Sequence, residues 1–350
     1  MTGPRKRVTQ QDIARMTGVS QATVSLVLNG RDTDGVRIAP ETRDRVLRVI
    51  EETGYVADPI ARRLLSQQNR IIGVFTYEAV FPAEGSDFYR PFLMGIEQQA
   101  ERAGCDLLLL TSAPVTDGRR HIFHKESRIR LADGLILLGR SLDPDDLSRL
   151  VTEGPPFVSV GRRDDAGGPV PYVGADYPTA VTALVRRAAD LGHRRIGYVG
   201  LGAGPESYAD RMAGFRTASR DAGLTAVHEN PAGRGPREVL DALLGAGITA
   251  VFAEEHADAA ALATAAEERG LTLPGDLSIV TMVQPPRETG VGDREFTGFA
   301  IPRQQMGAEA LQVLSALVVG ASEPRPQRLL PCEPVEHGTL AAPTAQPKGL

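Results

Sequence analysis

The chain has 350 residues, 42% hydrophobic and 24% charged, enough apolar material for a sizeable core and too long for one small domain. No window approaches 18 uninterrupted apolar residues, and the basic start MTGPRKRVTQQD has no apolar run behind it, which argues against a membrane span or secretory leader and for a cytoplasmic protein. The net charge of -5 conceals an asymmetry: residues 1–70 hold 12 Arg and Lys against 8 Asp and Glu, which leaves -9 on the remainder. A basic head on an acidic body favours a polyanionic partner for the head, although a solvated charged face has the same composition. Cys105 and Cys332 lie far apart, without metal-ligand or disulfide spacing, and read as buried, inert thiols.

In the head, VTQQDIARMTGVSQATVSLVLNG reads as two short helices around a tight turn. Thr9 caps the first, with Asp12 completing a capping box and Ile13 and Ala14 facing inward. Gly18 breaks it, and Ser20 caps a second helix whose inward face is Val24, Val27 and Leu28. Asn29-Gly30 ends that helix. A third begins at Pro40, with Val46, Leu47, Val49 and Ile50 as its apolar stripe. A helix-turn-helix pushes the start of its second helix into the DNA major groove. Gln21 and Ala22 are placed to read bases there, while the hydroxyls of Thr9, Ser20, Thr23 and Ser25 and the amide of Asn29 suit phosphates. Capping by Ser20 and packing by Thr23 are expected in addition.

From Arg70 onward, apolar runs such as RIIGVFTY, CDLLLLTS, ADGLILLG and PFVSVG alternate with amphipathic helical patterns. Uniformly apolar strands separated by helices indicate a parallel doubly wound sheet. A second, similar set follows the Gly/Pro-rich stretch DDAGGPVPYVGADYP, so the body has two halves, with a small-molecule site expected between them at the strands' carboxyl ends. Phe75, Tyr77, Phe88 and Tyr89 either wall this cleft or pack in the core. GYVGLGAGPES lacks the dinucleotide spacing, and no G-x-S-x-G, H-E-x-x-H or P-loop occurs, so neither catalysis, cofactor nor metal is expected. His193, at a helix-to-strand turn, reads as structural.

The head, YVADPIARRLLSQQNRIIGV after it, and the later DLGHRRIGYVG, RMAGFRTASRDAGL and ERGLTLPGDLSIV together resemble the lactose-repressor (LacI) family of bacterial transcription regulators, from about Val8 to about Thr339. The resemblance implies an N-terminal all-α helix-turn-helix domain, residues 1–57, and a hinge, 58–69. An α/β, two-lobed, periplasmic-binding-protein-like body follows over 70–340. Lobe 1 is expected at about 70–165 plus 298–328, lobe 2 at about 166–297 plus 329–340, and a disordered tail at 341–350. The resemblance further implies that hinge residue Leu64 wedges into the DNA minor groove with Arg62 near phosphate. Many members carry Arg where this chain has Leu26, and leucine reaches only apolar base edges such as a thymine methyl. Arg211 falls on the arginine that holds effector oxygens. Glu255 with His256, and Thr281, Met282 and Val283, replace polar groups that commonly hold sugar hydroxyls, so a modified sugar, glycoside or amine-bearing metabolite is expected rather than a plain hexose. The Pro/Ala-rich tail has no apolar heptads, so a homodimer is expected on double-stranded operator DNA. The reading is a repressor controlled by a small-molecule effector. A solute-binding or enzymatic α/β protein with a basic docking head is the alternative.

Overall fold

The structure, a computed structural model, describes residues 8–29, 38–55, 69–78, 88–116, 119–284, 294–320 and 325–344. It divides into two compact units, Met1–Asn69 and Arg70–Leu350. Helices α1 (Gln10–Thr17), α2 (Gln21–Asn29) and α3 (Pro40–Thr53) build the first. Their shared core is Ile13, Ala14, Val24, Val27 and Val46, with Leu28, Val49 and Ile50 packed half-buried against it. Gly18 takes the left-handed conformation, φ 69°, that ends α1 without steric cost. The expected stripe of α3 holds except at Leu47, which is 46% exposed. At 100° per residue, position 47 turns off the face centred on Val46, while 49 and 50 return to it.

The second unit runs, in chain order, β1 (Ile71–Thr76), α4 (Arg90–Ala103), β2 (Asp106–Leu110), β3 (Val115–Thr116), β4 (Arg119–Arg120), β5 (Gly134–Leu138), α5 (Pro144–Glu153), β6 (Phe157–Val160) and β7 (Tyr172–Ala175). It continues through α6 (Tyr177–Asp190), β8 (Arg195–Val199), α7 (Glu206–Asp221), β9 (Thr225–Glu229), α8 (Pro236–Gly245), β10 (Ala250–Ala253), α9 (His256–Glu268) and β11 (Ser278–Thr281). It closes with β12 (Gly298–Ala300), α10 (Arg303–Val318), β13 (Gln327–Leu330) and β14 (Glu333–Val335). Two six-stranded sheets result, ordered β13-β7-β6-β5-β1-β2 and β14-β12-β11-β10-β8-β9. The first is parallel throughout and the second parallel except for β12 against β14. Both belong to the α/β class expected from uniformly apolar strands.

The sheets correct the expected lobe limits. Strand β7 belongs to the first sheet, not the second, and β12 to the second, not the first. The chain therefore passes between sheets after Ala175, after Ala300 and after Leu330. Tyr172–Ala175 is four buried residues, and burial alone does not encode which sheet a strand pairs with. The crossover from β2 to β5 holds no α-helix among its described residues, only the β3–β4 hairpin and a 3-10 turn at Ile129–Leu131. As an edge strand, β2 leaves Leu107 exposed despite its apolar sequence. The cysteines are half-buried rather than buried; burial pushes both thiols up, Cys332 to about 12.

Helices α4 and α10 approach closely where two glycines meet backbone. A Cβ on Gly95 would stand 1.9 Å from the Gln304 carbonyl oxygen, and one on Gly307 2.1 Å from that of Phe92. Residues 341–344, expected to be disordered, are instead tied down: Ala341 accepts from His193 Nε2 at 2.8 Å and its amide donates to Ser278 Oγ at 3.2 Å, while Thr344 Oγ1 donates to Gly275 O. Residues 345–350 lie outside the described residues. The other ring nitrogen of His193 accepts from Thr249 Oγ1 at 2.8 Å, so this histidine fastens helix end, strand and tail together.

Candidate functional site

The polar side chains at the start of α1 and α2 are arranged by local capping. Asp12 N donates to Thr9 Oγ1 at 3.2 Å, and Thr9 N donates back to Asp12 Oδ2 at 3.1 Å, the reciprocal box expected from the sequence. The Thr9 hydroxyl also donates to Asp12 Oδ2 at 2.7 Å, so its proton is engaged within the head. Thr23 N donates to Ser20 Oγ at 3.1 Å, and the Ser20 and Thr23 hydroxyls share a 2.9 Å bond. Gln21 and Ala22 stand exposed at the first two positions of α2; Gln21 Nε2 reaches Gln10 Oε1 at only 3.4 Å. Ser25 and Leu26 are half-buried, and Asn29 is the last residue of α2. Arg62 and Leu64 lie outside the described residues.

In the body, polar groups gather where strands of the two sheets end. Arg162, past β6, donates from Nε and Nη2 to the two oxygens of Asp210 at 2.7 and 2.8 Å, a two-pronged pair with α7 of the other lobe. Arg163 donates to Glu206 Oε2 at 2.8 Å and to the Gly139 carbonyl at 2.5 Å. The Asp210 carboxylate raises the Arg162 pKa, whereas burial lowers that of Arg163.

The second sheet contributes an acidic edge. Glu254, directly after β10, is buried and accepts from Tyr198 Oη at 2.5 Å, Leu201 N at 2.7 Å and Gly202 N at 3.2 Å. A Cβ on Gly200 would stand 2.3 Å from Glu254 Cβ, so the glycine-rich turn wraps this internal carboxylate. Glu255 accepts from Tyr208 Oη at 2.9 Å, and burial together with that carboxylate pushes the phenol up to about 12. Arg211 lies over the rings of Tyr177 and Tyr208, its guanidinium carbon 4.4 and 5.8 Å from their centroids. Burial works against its charge, but Tyr177 and Glu255 outweigh it and raise the pKa.

The expected cleft residues divide. Arg211, Glu255 and Phe88 are brought towards one another: Arg303, buried at the start of α10, sits 5.3 Å over Phe88 and interacts electrostatically with Arg211 and Glu255. Phe75 and Tyr77 instead point to the opposite face of β1, into a cluster with Leu110, Ile122, Ile129 and Leu147, because alternate strand residues face opposite sides. Val283 is buried with Met282 in the main core. Glu254, Arg303, Tyr177 and Tyr208 were not singled out from sequence. Examining the residue after every strand would have found Glu254; nothing local marks Arg303 or Tyr177, which helices carry in. His121, Asp143 and Asp146 also cluster, but Asp143 caps α5 and Asp146 accepts from Ile122 N at 3.0 Å, so those carboxylates already serve the fold.

Residues 9–58 match the family described as bacterial regulatory proteins of the lacI family, and residues 185–340 the periplasmic binding protein-like domain. The chain is 28% identical over 325 residues to catabolite control protein A of Priestia megaterium, covering 88% of this chain and 92% of that one. It is 28% identical over 347 residues to the transcriptional repressor CytR of Escherichia coli, covering 95% and 96%. Among solved structures, the lac repressor dimer bound to operator and an anti-inducer superposes with a TM-score of 0.71 at 21% identity, over 96% of this chain and 100% of that one. Both ends of the chain, the capped helix pair and the two-sheet body, thus agree with one assignment: the chain belongs to the lactose-repressor (LacI) family of DNA-binding transcription regulators.

Proposed function

We propose that this protein represses transcription in the cytoplasm as a homodimer on a pseudo-palindromic operator, with Gln21 and Ala22 reading base edges and an effector in the cleft between the lobes controlling DNA affinity. The observation that carries the reading is the Ser20-capped α2, whose first two side chains are exposed and uninvolved in capping. The hydroxyls of Ser20, Thr23 and Ser25 and the side-chain amide of Asn29 contact phosphates, Thr9 reaches one only by giving up its bonds to Asp12, and Arg62 and Leu64 act in the hinge. Leu26 favours an apolar base edge, so Leu26→Arg shifts base preference more than affinity. Relatives support the effector: one solved relative is a CelR–cellobiose complex, and the lac repressor structure holds an anti-inducer. In this chain Arg211, Glu255, Tyr208 and Phe88 surround the effector.

Mobility shift and sedimentation on a duplex selected from random sequence test this. Two protomers per duplex are expected, with affinity falling roughly a thousandfold or more over a fourfold salt rise if about six phosphates are contacted. One protomer on a single half-site, or flat salt dependence, overturns the reading.

A further inference from the structure

We propose that Arg211 and Arg303 together hold an anionic group of the effector, a carboxylate or a phosphate, between the ring faces of Tyr177 and Phe88. The inference rests on reading the cleft as the effector site and adds the charge of its occupant. Both guanidiniums are withdrawn from water, 3% and 7% exposed. Nε and Nη1 of Arg211 and Nε of Arg303 have no hydrogen-bond partner. Nη1 of Arg303 donates at 3.3 Å to the carbonyl of Gln284, a neutral group. Among the described residues, no carboxylate is ion-paired with either one, whereas the equally buried Arg163 has Glu206 at 2.8 Å.

The nearby acids are committed elsewhere. Glu254 is held by the Tyr198 hydroxyl and the amides of Leu201 and Gly202, and Glu255 by the Tyr208 hydroxyl. The Tyr177 phenol interacts electrostatically with both guanidiniums and hydrogen-bonds with that of Arg211, which puts the two cations within reach of one hydroxyl. Arg140 adds a third cation 4.8 Å over Phe88, the ring that Arg303 also covers. Two buried cations in electrostatic reach of one another, with donors left open, are costly until a counter-charge arrives. A neutral hydroxyl satisfies a donor but adds no counter-charge to that of Glu255, which both arginines feel without being ion-paired to it. A carboxylate or phosphate does both, and matches the planar fork of donors on each arginine. On the acidic side, Glu255 accepts from hydroxyl or amine donors. The pocket therefore fits a polyhydroxylated metabolite with an acid at one end, such as a sugar acid or a sugar phosphate.

The full-length protein in chloride buffer is titrated with inorganic phosphate at constant ionic strength, and its thermal midpoint is followed. Phosphate raises the midpoint saturably beyond chloride; Arg303→Gln abolishes the gain and Arg303→Lys keeps part of it. Calorimetry with glucose, glucuronate and glucose 6-phosphate then shows at least one acid binding about tenfold or more tighter than glucose, lost in Arg303→Gln. Whichever acid gains more identifies carboxylate or phosphate as the source. No gain over chloride, a gain intact in Arg303→Gln, or glucose binding as tightly as both acids overturns the proposal. Arg303-dependent anion binding that leaves operator affinity unchanged keeps the anion site and refutes its role as the effector site.

Discussion

The head and the cleft of the body satisfy their polar groups in opposite ways. In the head, partners lie three residues apart, Thr9 with Asp12 and Ser20 with Thr23, and the exposed Gln21 and Ala22 take no part in the capping. In the cleft, partners are 48 and 56 residues apart, Arg162 with Asp210 and Tyr198 with Glu254, and lie largely out of water. A reading face can thus change without touching the head's core, whereas the cleft's recognition groups are also part of its fold. Substitutions should separate stability from binding in the head and couple them in the body.

The largest effects are expected at Glu254 and Gly307. Glu254→Leu leaves the buried Tyr198 hydroxyl and two part-buried backbone amides unpaired, at a cost of about 3 kcal/mol in denaturant unfolding. A loss under about 1 kcal/mol would mean that water reaches those donors and that this edge is not the dry, fold-bearing one described. Next, Gly307→Val forces α4 and α10 apart against the Phe92 carbonyl, costing about 3 kcal/mol without altering operator preference. A shifted preference would break the separation between body packing and base reading.

Smaller effects sharpen the contrast. Asp210→Asn removes the charge facing Arg162 across the lobes; because the pair is partly exposed, about 1 kcal/mol is expected, with a wider lobe opening seen in solution scattering. Unchanged scattering would show that the pair does not hold the lobes. His193 gives a pH signature. Burial lowers its pKa, so as pH falls through about 6.5 the unfolded chain takes up a proton that the folded ring refuses, and stability declines. In His193→Gln that part of the decline disappears; an unaltered pH profile contradicts the assignment.

Legibility follows the same division. The capping box, the Gly18 break and the inward valines of α2 were readable because their determinants lie within a turn or two of one another. The alternation of apolar strands and helices announced two α/β halves, yet not that β7 pairs in the first sheet and β12 in the second, since pairing is decided by residues distant in the chain. In the cleft, Arg211 and Glu255 were found through family motifs. For Phe75 and Tyr77 cleft and core both stayed open, because an aromatic near a strand's end carries no mark of which face it occupies; the structure puts both in the core. Glu254 and Arg303 were missed because their significance is burial opposite distant partners.

The sharpest test of the account is the sequence selected from random duplexes by the full-length protein and by Gln21→Ala, measured beside their thermal midpoints. Gln21 is exposed and outside the head's core, so its truncation should leave stability within about 0.5 kcal/mol. The wild type should enrich a two-fold related site, and the variant should lose preference at one symmetric pair of positions in it. An unchanged selected site at unchanged stability would contradict the placement of α2 as the element that reads DNA.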